Sequence, residues 1–300
     1  MFRYEVLKLR ATIQWVALFL FLKAPFAMAK PPVPPAKAPD FKDVLAQAQE
    51  LLLNKKRNEA LQKLQQLRAQ NSLKPTEREE LNEATKEIAT RFLTDKGQRS
   101  YELGLSRLPA QAATALTHLR AAELLEDGNA QIQEAVVRAL LANEDCKTAA
   151  KEAAVLQSLS AVFSQLQELQ MQIAWCLDDA AEVESLLKRK AAENRLTPHL
   201  QKLAAAWLKW RQKDPERAVT LLREVVATDP KNPAALYWLW RVQKEQDLDA
   251  QAAAAAFTKR CRLYEVEFRR RTSPMIEMCL HFNEVEAYLK AKGAEGADAG

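Results

Sequence analysis

Glycine is nearly missing from this sequence. Six occur in 300 residues, at Gly97, Gly104, Gly128, Gly293, Gly296 and Gly300, and three of these fall in the last eight positions. Tight hairpin turns and phosphate-binding loops use glycine where φ is positive or the backbone must approach a ligand closely. The chain has no P-loop, no GxGxxG and no GxSxG elbow, which excludes the common nucleotide folds and the α/β-hydrolase nucleophile. Histidine is scarce as well. His118, His199 and His281 stand alone, outside any HExxH or Cys-His spacing, so no metal is expected. Ser160 and Ser164 lack a base nearby in sequence. The carboxylates Asp178 and Asp179 are adjacent, so on a helix they would point apart; they read as a cap for a helix starting at 180. With its reaction groups absent, the chain reads as non-enzymatic and without a cofactor.

What is present favours helix. Ala, Leu, Gln, Glu, Lys and Arg dominate, and 48% of the residues are apolar, enough for a sizeable core. The N-terminus has the form of a secretory signal. Arg3, Lys8 and Arg10 precede the apolar stretch 15–22, and Ala27 and Ala29 supply the small residues of a cleavage site after Ala29. That stretch is too short to span a bilayer, which takes about 20 residues. No cysteine lies near the cut, so a lipid anchor is not expected. An exported, periplasmic protein is. Residues 1–29 carry four basic residues and one acidic residue, which leaves 40 basic against 38 acidic side chains beyond them. A nucleic-acid binder should show a strong basic excess, and this chain does not.

Residues 30–40 are proline-rich and read as an extended linker. The domain is placed at 41–292, with a disordered tail at 293–300. Fourteen helices are predicted: near 41–53, 57–70, 76–93, 98–107, 110–126, 129–142, 146–158, 163–177, 180–193, 198–212, 215–228, 233–246, 248–270 and 274–291. Thr76 with Glu79 forms a capping box for the third. Thr197-Pro198, Asp214-Pro215, Asn232-Pro233 and Ser273-Pro274 each set a capping side chain before a proline that suits the first helical position. Short links make neighbouring helices antiparallel.

A spacing of 34 relates Ala218 to Ala252, Leu208 to Val242 and Ala205 to Leu239. Within a pair of helices, small residues recur twelve apart, Ala206 with Ala218 and Ala48 with Ala60. Residues 199–230, with Ala206, Ala218, Leu222, Val225 and the ending "TDPKNP", resemble the tetratricopeptide repeat family. Residues 233–262 and 41–70 look like further units, and "YELG" at 101–104 opens a weaker one. The resemblance implies an all-α, right-handed α-solenoid of antiparallel hairpins, about five to six repeats plus a terminal helix. The helix at 76–93 has no obvious partner. Physically, no hairpin buries its apolar stripe alone, and stacking gives a continuous core.

Four cysteines in an exported chain suggest two disulfides. Residues equidistant from a connecting loop lie side by side. Cys146 and Cys176 straddle position 161, and Cys261 and Cys279 straddle 270, so the pairs Cys146–Cys176 and Cys261–Cys279 are predicted. Each is worth about 3 kcal/mol by loop closure.

Two surfaces are candidates for function. Residues 259–271 hold Lys259, Arg260, Arg262, Arg269, Arg270 and Arg271 with two glutamates between them, a dock for anionic lipid, peptidoglycan or an acidic partner, or else a solvated helix face. The second is aromatic. In "NPAALYWLW" (232–240), Leu236, Leu239 and Trp240 share one side of a helix, and Trp240 is expected in the core against the alanine run at 252–256. By the resemblance, Tyr237, Trp238 and Arg241 face the groove, as do Trp207, Trp210 and Arg211 one repeat earlier. Tyr, Trp and Arg are the residues most enriched at binding hot spots. The expected function is a protein–protein interaction module of the cell envelope that binds a polypeptide partner. An envelope scaffold acting through 259–271 is the alternative. No nucleic acid and no membrane span after cleavage are expected, though a peripheral envelope contact fits. The oligomeric state is left open.

Overall fold

Capping decides where most helices begin. The computed structural model describes residues 40–70, 73–159, 166–192, 196–270 and 275–298. The predicted signal and all of the linker but Asp40 lie outside them. Asp40 accepts from the Lys42 N–H and opens α1 (Phe41–Leu53), which α2 (Arg57–Arg68) follows. Thr76 does not cap α3 (Pro75–Thr90). Proline takes the first helical position, where no N–H is needed, and Glu77 accepts from the Lys74 backbone N–H at 2.8 Å. Thr94 caps α4 (Asp95–Arg107) through the Gly97 N–H. Next come α5 (Ala112–Leu125) and α6 (Ala130–Ala142), the latter capped by Asn129. After α7 (Cys146–Leu159) and α8 (Leu166–Cys176), Asp179 caps α9 (Ala180–Ala192) through the Glu182 N–H. Thr197, Asp214 and Asn232 cap α10 (Pro198–Arg211), α11 (Pro215–Thr228) and α12 (Pro233–Glu245), each with proline next, as predicted. The Ser273-Pro274 start lies outside the described residues.

The C-terminal region departs from prediction. The helix expected at 248–270 is two, α13 (Gln251–Cys261) and α14 (Tyr264–Arg270), separated by Arg262 and Leu263. The one expected at 274–291 begins as a 3-10 helix, η1 (Ile276–His281), and continues as α15 (Phe282–Asp298). It runs through residues 293–298, which were assigned to a disordered tail. Every regular element among the described residues is helical.

Sequence neighbours pack together as hairpins: α1/α2, α4/α5, α6/α7, α8/α9, α10/α11 and α12/α13. Successive hairpins from α4 onward join through α5–α6, α7–α8, α9–α10 and α11–α12. The first helices of neighbouring pairs also meet, α6 with α8 and α10 with α12. The result is an all-α solenoid of stacked hairpins, with α15 packed against α13 at its end. The small residues sit where the helices approach: Ala48, Ala60, Ala206 and Ala218 are fully buried. In the last hairpin the register moves. Ala252 is exposed, and the buried alanines are Ala253 and Ala254. Three residues (212–214) link α10 to α11, but five (246–250) link α12 to α13, and the two extra residues displace the small position.

A backbone feature marks the repeat more sharply than any side chain. Lys55, Glu144, Asp178, Lys213 and Asp247 all have φ between 51° and 62°. Each follows the first helix of a pair, and each closes the same double bond pattern. In α10 the Asp214 N–H reaches the Lys209 carbonyl and the Lys213 N–H the Trp210 carbonyl, the Schellman motif. Glycine usually fills this place; here none does. For Lys213→Gly, relief of about 1–2 kcal/mol of left-handed strain, less about 0.5–1 kcal/mol of unfolded-state freedom, predicts a gain. We expect its denaturation midpoint to rise by the equivalent of about 0.5–1 kcal/mol.

The helix without a repeat partner, α3, lies against α1, α2 and α6. A buried ion pair fixes it there. All five guanidinium donors of Arg57 are used. They reach the Ile88 carbonyl (3.1 Å), the Glu126 and Asp127 carbonyls (2.8 and 2.9 Å), the Arg91 carbonyl (2.5 Å) and Glu126 Oε2 (3.0 Å). Glu126 in turn accepts from the Leu93 and Thr94 N–H groups and the Thr94 hydroxyl. Burial works against the Glu126 charge, but these bonds outweigh it and hold the carboxyl below its ordinary range.

Both predicted disulfides are present. Cys146–Cys176 joins the ends of α7 and α8 remote from their connection, with Cα atoms 5.9 Å apart. Cys261–Cys279 ties the end of α13 to η1, with Cα atoms 5.4 Å apart.

Candidate functional site

Four first helices, α6, α8, α10 and α12, present polar and aromatic side chains to a common side. Arg138 on α6 and Gln172 on α8 stand 34 residues apart; Trp175 on α8 and Trp210 on α10 stand 35 apart. The chain's own C-terminal segment lies across these positions. Arg138 Nε donates to Glu277 at 2.9 Å, with both side chains buried. The Arg138 guanidinium also covers the Phe268 ring at 4.4 Å and bonds the Phe268 carbonyl. Gln172 Nε2 donates to Glu277 at 3.1 Å. On α12, Tyr237 stacks on His281 with ring centroids 4.3 Å apart. Arg269 donates to the Leu108 carbonyl at 2.7 Å. Residues 268–270 and 275–281, the latter tied to α13 by Cys261–Cys279, thus lie as a strap over the side of the array that the resemblance assigns to a partner.

Beside the strap remains a cleft of about 640 Å³. All six predicted groove residues line it: Trp207, Trp210, Arg211, Tyr237, Trp238 and Arg241. Their exposure differs from expectation. Trp207, Tyr237 and Trp238 are 2%, 0% and 6% exposed, so they are walls of the cleft and not projecting anchors. The reason is that α12 is covered on several sides, by α10, α11, α13 and η1. Only Trp210, Arg211 and Arg241 retain substantial surface. Trp240 is fully buried, as expected, but it packs edge-on to Tyr288 of α15 as well as near Tyr237.

The rings form a ladder. Trp175 and Trp238 lie 5.7 Å apart, Trp238 and Trp210 5.4 Å, and Trp210 and Trp207 6.4 Å, measured between centroids. Each rim cation has an anion. Arg211 pairs with Asp178, and Arg241 with Glu245 at 3.3 Å. Both also lie over the Trp210 ring, at 5.2 and 5.7 Å. Trp210 Nε1 donates to Glu245 at 2.9 Å.

Arg241 also donates to the Tyr237 hydroxyl at 2.8 Å, which in turn faces Glu284 at 3.5 Å. Burial pushes the Tyr237 phenol up to about 12, against the pull of Arg241. A folded-state value raised above the ordinary 10.0 gives stability that is complete below pH 10 and lost as pH rises toward 12. Alkaline titration followed by ultraviolet absorbance should therefore show one phenol ionising last, absent from Tyr237→Phe.

Two members of the basic cluster are engaged within the chain. Arg260 is engaged bidentately with Glu267 at 2.8 and 3.0 Å and bonds the Lys231 carbonyl, while Arg269 reaches Leu108 and Glu265. The break between α13 and α14 also divides the cluster. Lys259, Arg262 and Arg270 are exposed, and Arg271 lies outside the described residues. Sequence reasoning missed Arg138, Gln172, Trp175, Glu277 and His281. The 34–35-residue offsets of Arg138, Gln172, Trp175 and Trp210 were the available signal.

The family profile of the tetratricopeptide repeat matches residues 198–242, which span α10, α11 and most of α12. No curated protein matches the chain. Among solved structures, the TPR domain of P58(IPK) is similar over 84% of this chain and 80% of that one, at 12% identity and a TM-score of 0.31. The tetratricopeptide-repeat profile thus falls on one and a half hairpins, 198–242, of a chain whose described residues fold as stacked helical hairpins.

Proposed function

We propose that this is a non-enzymatic, exported interaction protein that binds a polypeptide partner in the cleft between α8, α10 and α12, in cell-envelope assembly or secretion. The observation that carries the reading is the convergence of four tryptophans, Tyr237 and two arginines on one concave surface. Tetratricopeptide repeats generally serve protein–protein interaction, which fits it. Export to the periplasm rests on the signal-like residues 1–29. The two disulfides suit an oxidising compartment, and among the described residues no helix is long and apolar enough to cross a membrane.

Trp207 and Tyr237 are poor residues to test, because their removal would open core cavities. Trp210 and Arg211 have exposed surface and lie on the rim. A photo-crosslinking residue at position 210 should capture a defined envelope protein, and Arg211→Ala should weaken that capture. Capture of the same partners from position 223, on the exposed face of α11, would remove the cleft from consideration.

A further inference from the structure

A single exposed apolar side chain on a protein surface is ordinary. Nine large ones stand exposed among the described residues, and only Leu263 and Val266 are three or four positions apart, the spacing that puts two side chains on one helical face. They are 73% and 51% exposed. Although the chain breaks between α13 and α14, burial keeps one phase across the turn. Phe257, Cys261, Tyr264 and Phe268 form the inner face at steps of four, three and four residues, buried except for the half-buried Tyr264. Lys259, Leu263, Val266 and Arg270 repeat those steps two residues on, the opposite side of a helix, and all four are exposed. That outer face reads cation, apolar, apolar, cation along its length.

The charge around it is one-sided. Arg260 is spent on Glu267, and Arg269 lies 3.7 Å from Glu265, so these pairs cancel. Lys259, Arg262 and Arg270 are exposed and form no ion pair among the described residues. Lys231 joins them. Arg260 donates to its carbonyl at 2.9 Å, and Lys231 and Lys259 line one cleft. Against these four cations, the one carboxylate of that cleft without a cation is Asp229, which accepts from Asn232. Two apolar side chains are too few for a stable protein interface, which takes about 20–30 residues a side. A bilayer needs no matching surface. Apolar side chains enter the boundary between headgroups and acyl chains, while flanking Lys and Arg bend their charged ends back to the phosphates.

We infer that the outer face of α13 and α14 docks this protein peripherally on an anionic phospholipid surface, with Leu263 and Val266 inserted and Lys231, Lys259, Arg262 and Arg270 against headgroup phosphates. This face is turned away from the tryptophan cleft, which Tyr264 lines from the inner side. It stands independently of the polypeptide partner proposed for that cleft.

The test is flotation of the protein beginning at Lys30, the expected mature form, with vesicles of equimolar phosphatidylcholine and phosphatidylglycerol, and with vesicles of phosphatidylcholine alone. It should float with the first and not with the second, and added salt should release it. Arg262→Gln with Arg270→Gln should lower the partition coefficient about 25-fold, about fivefold for each cation. Leu263→Ser with Val266→Ser should lower it about tenfold or more at unchanged charge. All four residues are exposed, so the circular dichroism and denaturation midpoint should stay as they are. Arg223→Gln removes a cation from the exposed side of α11 and should leave binding unchanged. No flotation overturns the inference, and so does equal flotation with both vesicles. Flotation that is indifferent to Leu263 and Val266, or that falls as much with Arg223→Gln as with Arg262→Gln, reduces the effect to diffuse charge and overturns it too. Capture by soluble polyglutamate in place of vesicles would make the face a dock for an acidic polypeptide and overturn the lipid assignment.

Discussion

Arg57→Ala is expected to lose about 3–5 kcal/mol of stability, the typical cost of breaking a buried ion pair from one side. That is a large share of the roughly 5–15 kcal/mol that holds a domain folded. The size follows from geometry. The substitution strands the Glu126 carboxylate in the interior and leaves the carbonyls of Ile88, Arg91, Glu126 and Asp127 without their shared donor. Those groups belong to the ends of α3 and α5, so the first hairpin and α3 should detach from the rest before global unfolding. Urea denaturation of the variant should show a lower midpoint, and hydrogen exchange should speed up first in α1 to α3. Arg57→Lys should rescue little, because an ammonium has three donors and no planar fork. A loss below about 1 kcal/mol would mean that the network is worth no more than one ordinary hydrogen bond.

Glu277→Ala should release the strap. Arg138, 3% exposed, would then stand buried without its carboxylate, and Gln172 would lose its acceptor. We expect a cost of about 3–5 kcal/mol from this second buried pair. It should appear locally, as proteolytic sensitivity between residues 264 and 281 while α10 and α11 stay protected. The combined Arg138→Leu and Glu277→Leu variant should recover most of the loss, because an apolar pair of similar volume carries no desolvation penalty. If the double variant is as sensitive as the single one, then the hydrogen bonds to Gln172 and to the Phe268 carbonyl hold the strap, and the ion pair does not.

These two networks also mark where sequence reading stopped. Helix starts were legible because Thr197, Asp214 and Asn232 act on N–H groups three residues away. The disulfide pairs were legible because equal distances from a turn place residues side by side. The repeat was only partly legible. Its clearest mark, the left-handed residue after five of the six first helices, is filled by Lys, Glu or Asp instead of glycine, so composition hides it. Arg57 gave no signal, because its partners lie 31 to 70 positions away. Six candidate groove residues came from the resemblance to the repeat family and line one cleft, yet the burial of Trp207, Tyr237 and Trp238 was not foreseen. Phase gives the direction in which a side chain leaves its helix, but it does not say what lies opposite.

Sequence by itself therefore determined that this protein is all-helical, where most of its helices begin and which cysteines join. All of these follow from interactions within a few residues or across one turn. Tertiary structure alone decided that residues 268–270 and 275–281 lie over the repeat side as a strap. It also decided that α3 is locked by Arg57 and Glu126, and that Tyr237 and Trp238 are cleft walls beneath the chain's own C-terminal segment. Those outcomes depend on contacts between residues far apart in the chain, 69 positions for Arg57 with Glu126 and 139 for Arg138 with Glu277, for which no local pattern exists.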